Sequence, residues 1–264
     1  MIHAMKHVVV ALIVTVSVTA SASQRGPKRT DTPAETGGYT AQIFRSAART
    51  MPYRLFVPKG YDARRRYPLV VWLHGAGGAG TDNLQQISGD QVAGTRLWVK
   101  PETQAANAAF VVAPQSATAW VPGSGLPALQ PDVQVVAALL DALVAEFPID
   151  RRRVYVIGQS LGGGAAWNLA IHQPERLAGV VLVCPSRRDV SLSAQAAKVP
   201  LWVFQGDQDG LIVRTRELID RVTKGGGHPR FTVYPKQGHD IWTRAFAEPG
   251  LVEWVFARVN ATAK

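Results

Sequence analysis

Short apolar runs alternate with helical patterns along the chain from residue 50 onwards. Most of the runs are unbroken stretches of Val, Leu, Ile and Phe, which is typical of strands that helices cover on both faces. The predicted strands lie at 53–57, 69–73, 110–113, 154–157, 180–183, 201–204 and 231–234.

Helical periodicity fills the intervals between these strands. The clearest stretch, at 132–147, places its apolar residues on one stripe at i, i+3 and i+4 spacing and stops before Pro148. Further helices are predicted from Ser160 onwards, at 214–222 and at 251–259. Because strands and helices alternate, the pattern predicts an α/β fold with a doubly wound, mostly parallel sheet.

The first 22 residues have the features of an export signal. Lys6 makes the start of the chain positive, residues 8–18 form an apolar run, and Ala-Ser-Ala at 20–22 fits a cleavage site after Ala22. That run is shorter than the about 20 residues that span a bilayer. We therefore expect a secreted or periplasmic product without stable membrane insertion, with a buried or membrane-anchoring helix as the alternative.

The rest of the chain reads as one domain behind a short leader. Residues 23–38 are rich in Gly, Pro, Thr and charge, which predicts a flexible segment. Residues 39–264 contain no repeat and no linker. A hydrophobic content of 47% across the whole sequence is enough for a full core and excludes disorder as the main state.

Charge and cysteine content exclude several kinds of function. The net charge is +10, but the basic residues form short separate groups at 64–66, 151–153 and 187–188. Scattered groups favour solvated turns over a nucleic-acid surface, so no nucleic-acid partner is expected. One cysteine, Cys184, allows no internal disulfide and no multi-cysteine metal site. We expect Cys184 to pack in the core and the protein to hold no metal.

The sharpest motif is Gly-Gln-Ser-Leu-Gly at 158–162, between a predicted strand and a predicted helix. A serine that attacks a carbonyl needs an exposed hydroxyl on a sharply bent backbone, and the flanking glycines let neighbouring chain approach that bend. The N-terminus of the helix directs N–H groups towards the developing oxyanion. Ser160 is therefore the candidate nucleophile, and a glycine-rich packing turn is the alternative.

A serine hydroxyl needs a base, and the chain offers one after its last predicted strand. The order Ser160, Asp209, His239 is the one expected when a nucleophile follows a strand in this way. Asp209 is favoured as the acid because it lies farther from its strand and can reach the imidazole. Asp207 is expected to brace its loop through backbone N–H groups, and Asp240 is a weaker third candidate.

Two backbone N–H groups must stabilise the oxyanion at about 3 Å. Leu161, the residue after the nucleophile, is one candidate donor. The other is expected in the loop His-Gly-Ala-Gly-Gly at 74–78, where Ala76 is preferred and Gly77 is the alternative. His74 is expected to brace that loop.

The same loop contains a Gly-x-Gly-x-x-Gly pattern at 75–80, which dinucleotide-binding folds also carry. Such a fold needs an acidic residue at the end of a second strand about 20 residues on. Residues 82–98 show no clear second strand, so we expect no cofactor.

Together these motifs resemble the α/β-hydrolase superfamily. More narrowly, the chain is similar to exported serine esterases of the dienelactone-hydrolase-like, feruloyl and acetylxylan esterase and polyhydroxybutyrate depolymerase group, some of which are described as peptidases. The matching segments are 53–58, 72–78, 158–163, 206–209 and 238–242. The resemblance implies a catalytic domain at 39–264 that hydrolyses carboxylic esters through Ser160, Asp209 and His239 without a cofactor.

Three departures from the family pattern bear on this interpretation. Asp-Gly-Leu-Ile-Val at 209–213 stands where such families often have Asp-Pro-Val-Val-Pro, so Gly210 gives the chain after Asp209 extra conformational freedom. Gln205 replaces the usual His before Gly-Asp, and we expect it not to touch the chemistry. Dienelactone hydrolases proper use a Cys nucleophile, so Ser160 implies no ring-cleavage chemistry.

The length of one segment between two predicted strands bears on the substrate. Residues 184–200 are too few for a large lid, and an open site suits short acyl chains or polymer-borne esters. Trp120 and Trp242 are candidates for the pocket wall, with a buried core position as the alternative for each. A serine peptidase on the same fold and a non-catalytic exported binding protein are the alternative functions.

Overall fold

The computed structural model describes residues 35–46, 49–120, 129–186 and 192–263. The predicted signal peptide, most of the predicted leader and the basic pair at 187–188 lie outside these residues. Among the residues that the structure describes, no helix is both long and apolar enough to cross a membrane.

Nine strands in the described part of the chain form one sheet. The strands are β1 (Glu35–Thr36), β2 (Tyr39–Arg45), β3 (Thr50–Phe56), β4 (Tyr67–Leu73), β5 (Phe110–Pro114), β6 (Ile149–Gln159), β7 (Gly179–Val183), β8 (Leu201–Gly206) and β9 (Arg230–Tyr234). Their spatial order is β1-β2-β3-β5-β4-β6-β7-β8-β9. Strands β4 to β9 pair in parallel, whereas β1, β2 and β3 form an antiparallel extension on β5. The predicted mostly parallel sheet is confirmed.

Eight α-helices connect or flank these strands in the described residues. They are α1 (Val92–Val99), α2 (Pro101–Ala106), α3 (Pro131–Glu146), α4 (Leu161–His172), α5 (Ala194–Ala197), α6 (Ile212–Lys224), α7 (Trp242–Phe246) and α8 (Leu251–Phe256). The helices α3, α4, α6 and α8 match the four predicted ones. Helix α1 occupies the region where a dinucleotide-binding fold would need its second strand.

Alternate residues of the central strands enter two separate hydrophobic cores. On β4, Leu69 and Val71 face the core that α3, α4 and α6 cover. Val70 and Trp72 face the opposite core, which α1, α7 and α8 cover. Because both faces of the strand are buried, both sets of alternating positions must be apolar. This burial explains the unbroken hydrophobic runs in the sequence.

The sheet begins at Glu35, within the last residues of the segment predicted as a leader. Thr36 pairs with Tyr39 across a two-residue turn. Gly37 and Gly38 in that turn have φ angles of +59° and +84°, which glycine adopts without strain. The short edge strand carries no hydrophobic pattern, so its only signal in the sequence is the Gly-Gly turn.

Candidate active site

The backbone at Ser160 turns sharply between β6 and α4. Its φ of +53° and ψ of −116° lie outside the regions that a residue with a Cβ normally occupies. The Ser160 N–H donates to the carbonyl of Val183 at 2.9 Å. The Ser160 carbonyl accepts from the N–H groups of Gly164 at 3.1 Å and Ser186 at 2.9 Å. These hydrogen bonds hold the strained turn in place.

The glycines on either side of Ser160 are required by close backbone approaches. A Cβ on Gly158 would lie 2.1 Å from the carbonyl oxygen of Gly162. A Cβ on Gly162 would lie 2.0 Å from the carbonyl oxygen of Leu73, at the end of β4. Only glycine fits at either position, so the motif lets β4, β6 and α4 meet around the serine.

Ser160, His239 and Asp209 form one chain of hydrogen bonds. The Ser160 Oγ lies 2.9 Å from Nε2 of His239, and Nδ1 of His239 lies 2.7 Å from Oδ2 of Asp209. The imidazole is 40% exposed, whereas the Asp209 side chain is 4% exposed. The loops after β6, β8 and β9 bring these residues together, because parallel strands end at the same edge of the sheet.

The environment of Asp209 keeps its carboxyl ionised. Burial acts to raise the pKa of Asp209, but hydrogen bonds from the Leu211 N–H, His239 and the Cys184 thiol hold the pKa below its ordinary value. The Leu211 N–H donates to Oδ1 at 2.9 Å. The carboxylate therefore presents a negative charge to the imidazole at neutral pH.

The two alternative aspartates lie elsewhere. Asp207 is exposed, and its Oδ1 accepts the Gln237 N–H at 3.3 Å, which ties its loop to the loop after β9. Asp240, which follows His239 in the chain, is exposed. Of these three aspartates, the structure places Asp209 on His239.

The loop after β4 lies against the candidate nucleophile. A Cβ on Gly75 would lie 3.5 Å from the Cβ of Ser160, and the Gly75 N–H is bound to Oε1 of Gln91 at 2.8 Å. The next residues, Ala76–Gly78, form a 3₁₀ turn. Leu161 begins α4, where the first N–H groups of a helix have no acceptor within it. Gly75 thus lies next to Ser160 and Leu161 follows it in the chain, and Leu161, Ala76 and the alternative Gly77 stay the candidate oxyanion donors.

His74 sits behind this loop as a neutral imidazole. Burial lowers its pKa to about 4. The Ser116 N–H donates to Nε2 of His74 at 3.0 Å, so the proton lies on Nδ1, which donates to the Gly75 carbonyl at 2.7 Å. This double contact braces the loop.

The two tryptophans proposed as pocket walls are buried supports in the structure. Trp120 is 3% exposed, and its indole N–H donates to the carbonyl of His74 at 2.8 Å. Trp242 is 7% exposed and packs its ring at 88° to the His239 ring, with 5.2 Å between centroids. Trp120 therefore backs the loop after β4 rather than forming an open wall, and Trp242 supports the imidazole.

Three side chains with potential metal-ligand atoms meet within the described residues. Cys184, Asp209 and His239 hold these atoms within 4.8 Å of one another. Zinc binds the thiolate form of cysteine, but burial raises the pKa of the Cys184 thiol, which disfavours that form. The three side chains are also hydrogen-bonded, because Asp209 accepts from both the His239 imidazole and the Cys184 thiol.

Sequence reasoning missed one side chain in this site. Gln205, which was expected not to touch the chemistry, lies against the candidate acid, because its Nε2 donates to Oδ2 of Asp209 at 2.5 Å. The available signal was a polar residue near the end of the otherwise apolar run of β8. Such a residue is fully buried only where a partner satisfies it.

Comparisons with known proteins agree with this geometry. Residues 45–240 match the family described as "Putative esterase". "Probable feruloyl esterase C" of Aspergillus niger is 27% identical over 203 residues, which cover 73% of this chain and 68% of the relative. A "Probable carboxylesterase" of Oryza sativa subsp. japonica is 27% identical over 213 residues, covering 69% of this chain and 85% of the relative.

A solved structure is also similar. The "Crystal Structure of a Thermostable Esterase" superposes with a TM-score of 0.77 at 30% identity. The match covers 84% of this chain and 63% of that one, so this chain spans less than two thirds of its length.

Proposed function

Because the chain belongs to this esterase family within the α/β-hydrolase superfamily, we propose that it cleaves carboxylic esters with Ser160 as nucleophile, His239 as base and Asp209 as acid. The hydrogen-bonded chain from the Ser160 Oγ through the imidazole to Asp209 is the observation that carries this proposal. Such a chain activates a hydroxyl that is otherwise a weak nucleophile.

The reaction proceeds in two steps. His239 takes the Ser160 proton while Oγ attacks the ester carbonyl, and N–H groups of Ala76 and Leu161 stabilise the oxyanion. The C–O bond to the alcohol then breaks, and the alcohol leaves with the proton from His239. Water, activated by the same imidazole, hydrolyses the acyl-enzyme and regenerates the Ser160 hydroxyl. Asp209 keeps the imidazole in the required tautomer throughout.

Replacement of the nucleophile tests this mechanism directly. Ser160→Ala should lower kcat for p-nitrophenyl acetate by at least about 10⁴-fold and abolish labelling by a fluorophosphonate probe. The thermal unfolding midpoint should stay close to that of the wild type, which separates loss of chemistry from loss of fold. Hydrolysis at the wild-type rate by this variant would exclude Ser160 as the nucleophile.

Feruloyl esters are the first substrates to test. The name of the Aspergillus niger relative points to that acyl group, and the exposed imidazole supports a site that polymer-borne esters can reach. A panel of methyl ferulate, acetylated xylan, a short polyester and a matched peptide amide should show cleavage of esters in preference to the amide. Preferential cleavage of the amide would instead indicate a serine peptidase.

We also propose that the chain is exported. The charged start, the apolar run at 8–18 and the Ala-Ser-Ala site support cleavage after Ala22. Expression in a bacterium followed by N-terminal sequencing of the extracytoplasmic protein should find Ser23 as the first residue. Accumulation of the uncleaved chain in the cytoplasm would contradict export.

A further inference from the structure

We propose that Gln205 and Thr215 form a buried relay that positions the acid of the triad. The inference rests on the proposed function and assigns two buried positioning residues to its site. The Thr215 Oγ1 lies 2.9 Å from Oε1 of Gln205, and Nε2 of Gln205 lies 2.5 Å from Oδ2 of Asp209. This Asp209 oxygen also binds His239.

Ionised Asp209 determines the direction of both hydrogen bonds in the relay. Ionised Asp209 can only accept, so the amide of Gln205 must turn its NH₂ group towards the carboxylate. The amide oxygen then faces Thr215, whose hydroxyl can donate to it. If the Thr215 hydroxyl were absent, the amide oxygen of Gln205 would lose this donor, and within this chain of contacts the amide would be oriented by Asp209 alone.

The position of the relay in the fold gives it a mechanical role. Gln205 is the penultimate residue of β8, and Thr215 lies in the first turn of α6. The loop between these elements carries Asp209. Gln205 and Thr215 are 0% and 1% exposed, so the relay joins strand and helix inside the protein beneath that loop.

The relay also supports the charge of Asp209. The other groups that face this carboxylate in the described residues are the His239 imidazole, the Leu211 N–H and the Cys184 thiol. Removing the Gln205 donor takes away a hydrogen bond that favours the ionised carboxylate. The acid limb of activity should therefore move to higher pH when that donor is lost.

The first experiment compares matched variants of Thr215. Thr215→Val has nearly the same shape without the hydroxyl, and Thr215→Ser restores the hydroxyl. We expect Thr215→Val to lower kcat for p-nitrophenyl acetate by about 3- to 10-fold with KM within about 2-fold, and Thr215→Ser to stay within about 2-fold of wild type. Fluorophosphonate labelling rates should follow the same order.

The second experiment changes the amide itself. Gln205→Leu should lower kcat by about 10- to 100-fold and move the acid limb of kcat/KM to higher pH. Gln205→Glu tests the donor more sharply, because the introduced carboxyl can donate to Asp209 only while it is protonated. Its activity relative to wild type should fall as pH rises from 5 to 9, whereas a purely structural defect would give a constant ratio.

Ser160→Ala, measured in parallel, distinguishes a failure of the relay from a failure of the proposed function. If Ser160→Ala is inactive while Thr215→Val and Gln205→Leu keep wild-type kcat and pH profile, the relay is refuted and the triad stands. If Ser160→Ala stays active, the proposed function fails, and the relay fails with it. If Gln205→Leu does not fold, the Thr215→Val and Thr215→Ser comparison decides the relay on its own.

Discussion

At the scale of single residues, local environment assigns different tasks to chemically identical side chains. Asp207 and Asp209 are two positions apart in one loop, yet Asp207 is exposed and Asp209 is buried against the imidazole. Burial alone would disfavour a charged carboxyl, and hydrogen-bond donors around Asp209 reverse that effect. The donors therefore favour an ionised Asp209 beside the imidazole, as the proposed triad requires.

A pair of isosteric amide variants tests this assignment. Asp209→Asn removes the charge that orients and stabilises the imidazole, and kcat should fall by about 10³- to 10⁴-fold. Asp207→Asn keeps an oxygen that can accept the Gln237 N–H, so kcat should change by less than about 3-fold. Steady-state hydrolysis of p-nitrophenyl acetate measures both variants, and the reverse order of effects would assign the acid to Asp207.

The sign of the pH dependence follows from the lowered pKa of Asp209. The folded-state pKa of Asp209 lies below the ordinary value for aspartate. Ionised Asp209 therefore stabilises the folded protein at pH values above that ordinary pKa. The contribution is lost as pH falls through the folded-state pKa. Asp209→Asn should therefore remove part of the acid destabilisation of the wild type at the low end of the pH range.

At the scale of elements, the turn between β6 and α4 depends on backbone contacts that exclude side chains. Gly162 lies so close to the end of β4 that any Cβ would overlap the Leu73 carbonyl. The same contact brings the loop after β4 next to Ser160. Packing of the elements and the position of the loop proposed to supply an oxyanion donor thus depend on the same glycine.

Two glycine substitutions distinguish this contact from a general effect of alanine. Gly162→Ala should lower the free energy of unfolding by about 3 kcal/mol or more, since the Leu73 carbonyl is backbone that cannot move aside cheaply. Gly210→Ala places its Cβ in open space, and the free energy of unfolding should change by less than about 1 kcal/mol. Urea denaturation measures both changes. Equal stability of the two variants would show that the turn can relax around a methyl group.

At the scale of the whole molecule, stability depends on buried polar groups as well as on the two cores. His74 is buried and neutral, and its pKa is about 4 against an ordinary 6.5. An unfolded chain takes up a proton at this histidine at higher pH than the folded protein does. The free energy of unfolding should therefore fall as pH decreases from about 6.5 to 4, by about 3 kcal/mol for this group.

Substitution by a side chain that does not titrate tests this linkage. His74→Gln keeps one donor and one acceptor for the loop but cannot take up the proton. The variant should start from a lower stability at pH 7 because the ring is lost, and its stability should fall less steeply between pH 6.5 and 4. Urea unfolding at pH 7, 5.5 and 4.5 compares the slopes, and parallel slopes would exclude His74 as the linked group.

The sequence by itself determined the central architecture and the order of the candidate chemistry. The hydrophobic pattern reflects how much of each face of a strand is buried. It is therefore a strong signal for β4 and β6 to β8, where both faces are covered and the apolar runs are unbroken. The hydrophobic pattern is weak for β1 and β2 at the edge of the sheet, and these two strands were not predicted. The motif around Ser160 was visible because both glycines lie two positions from the serine, although the contact that requires Gly162 is with the distant Leu73.

The tertiary structure alone decided which side chains touch. Asp209 rather than Asp207 is hydrogen-bonded to His239. Gln205 donates to Asp209, although the sequence suggested that Gln205 does not touch the chemistry. Trp120 lies behind a loop rather than in an open wall. These outcomes depend on distances between strand ends that are far apart in the chain, and no local pattern of residues encodes such distances.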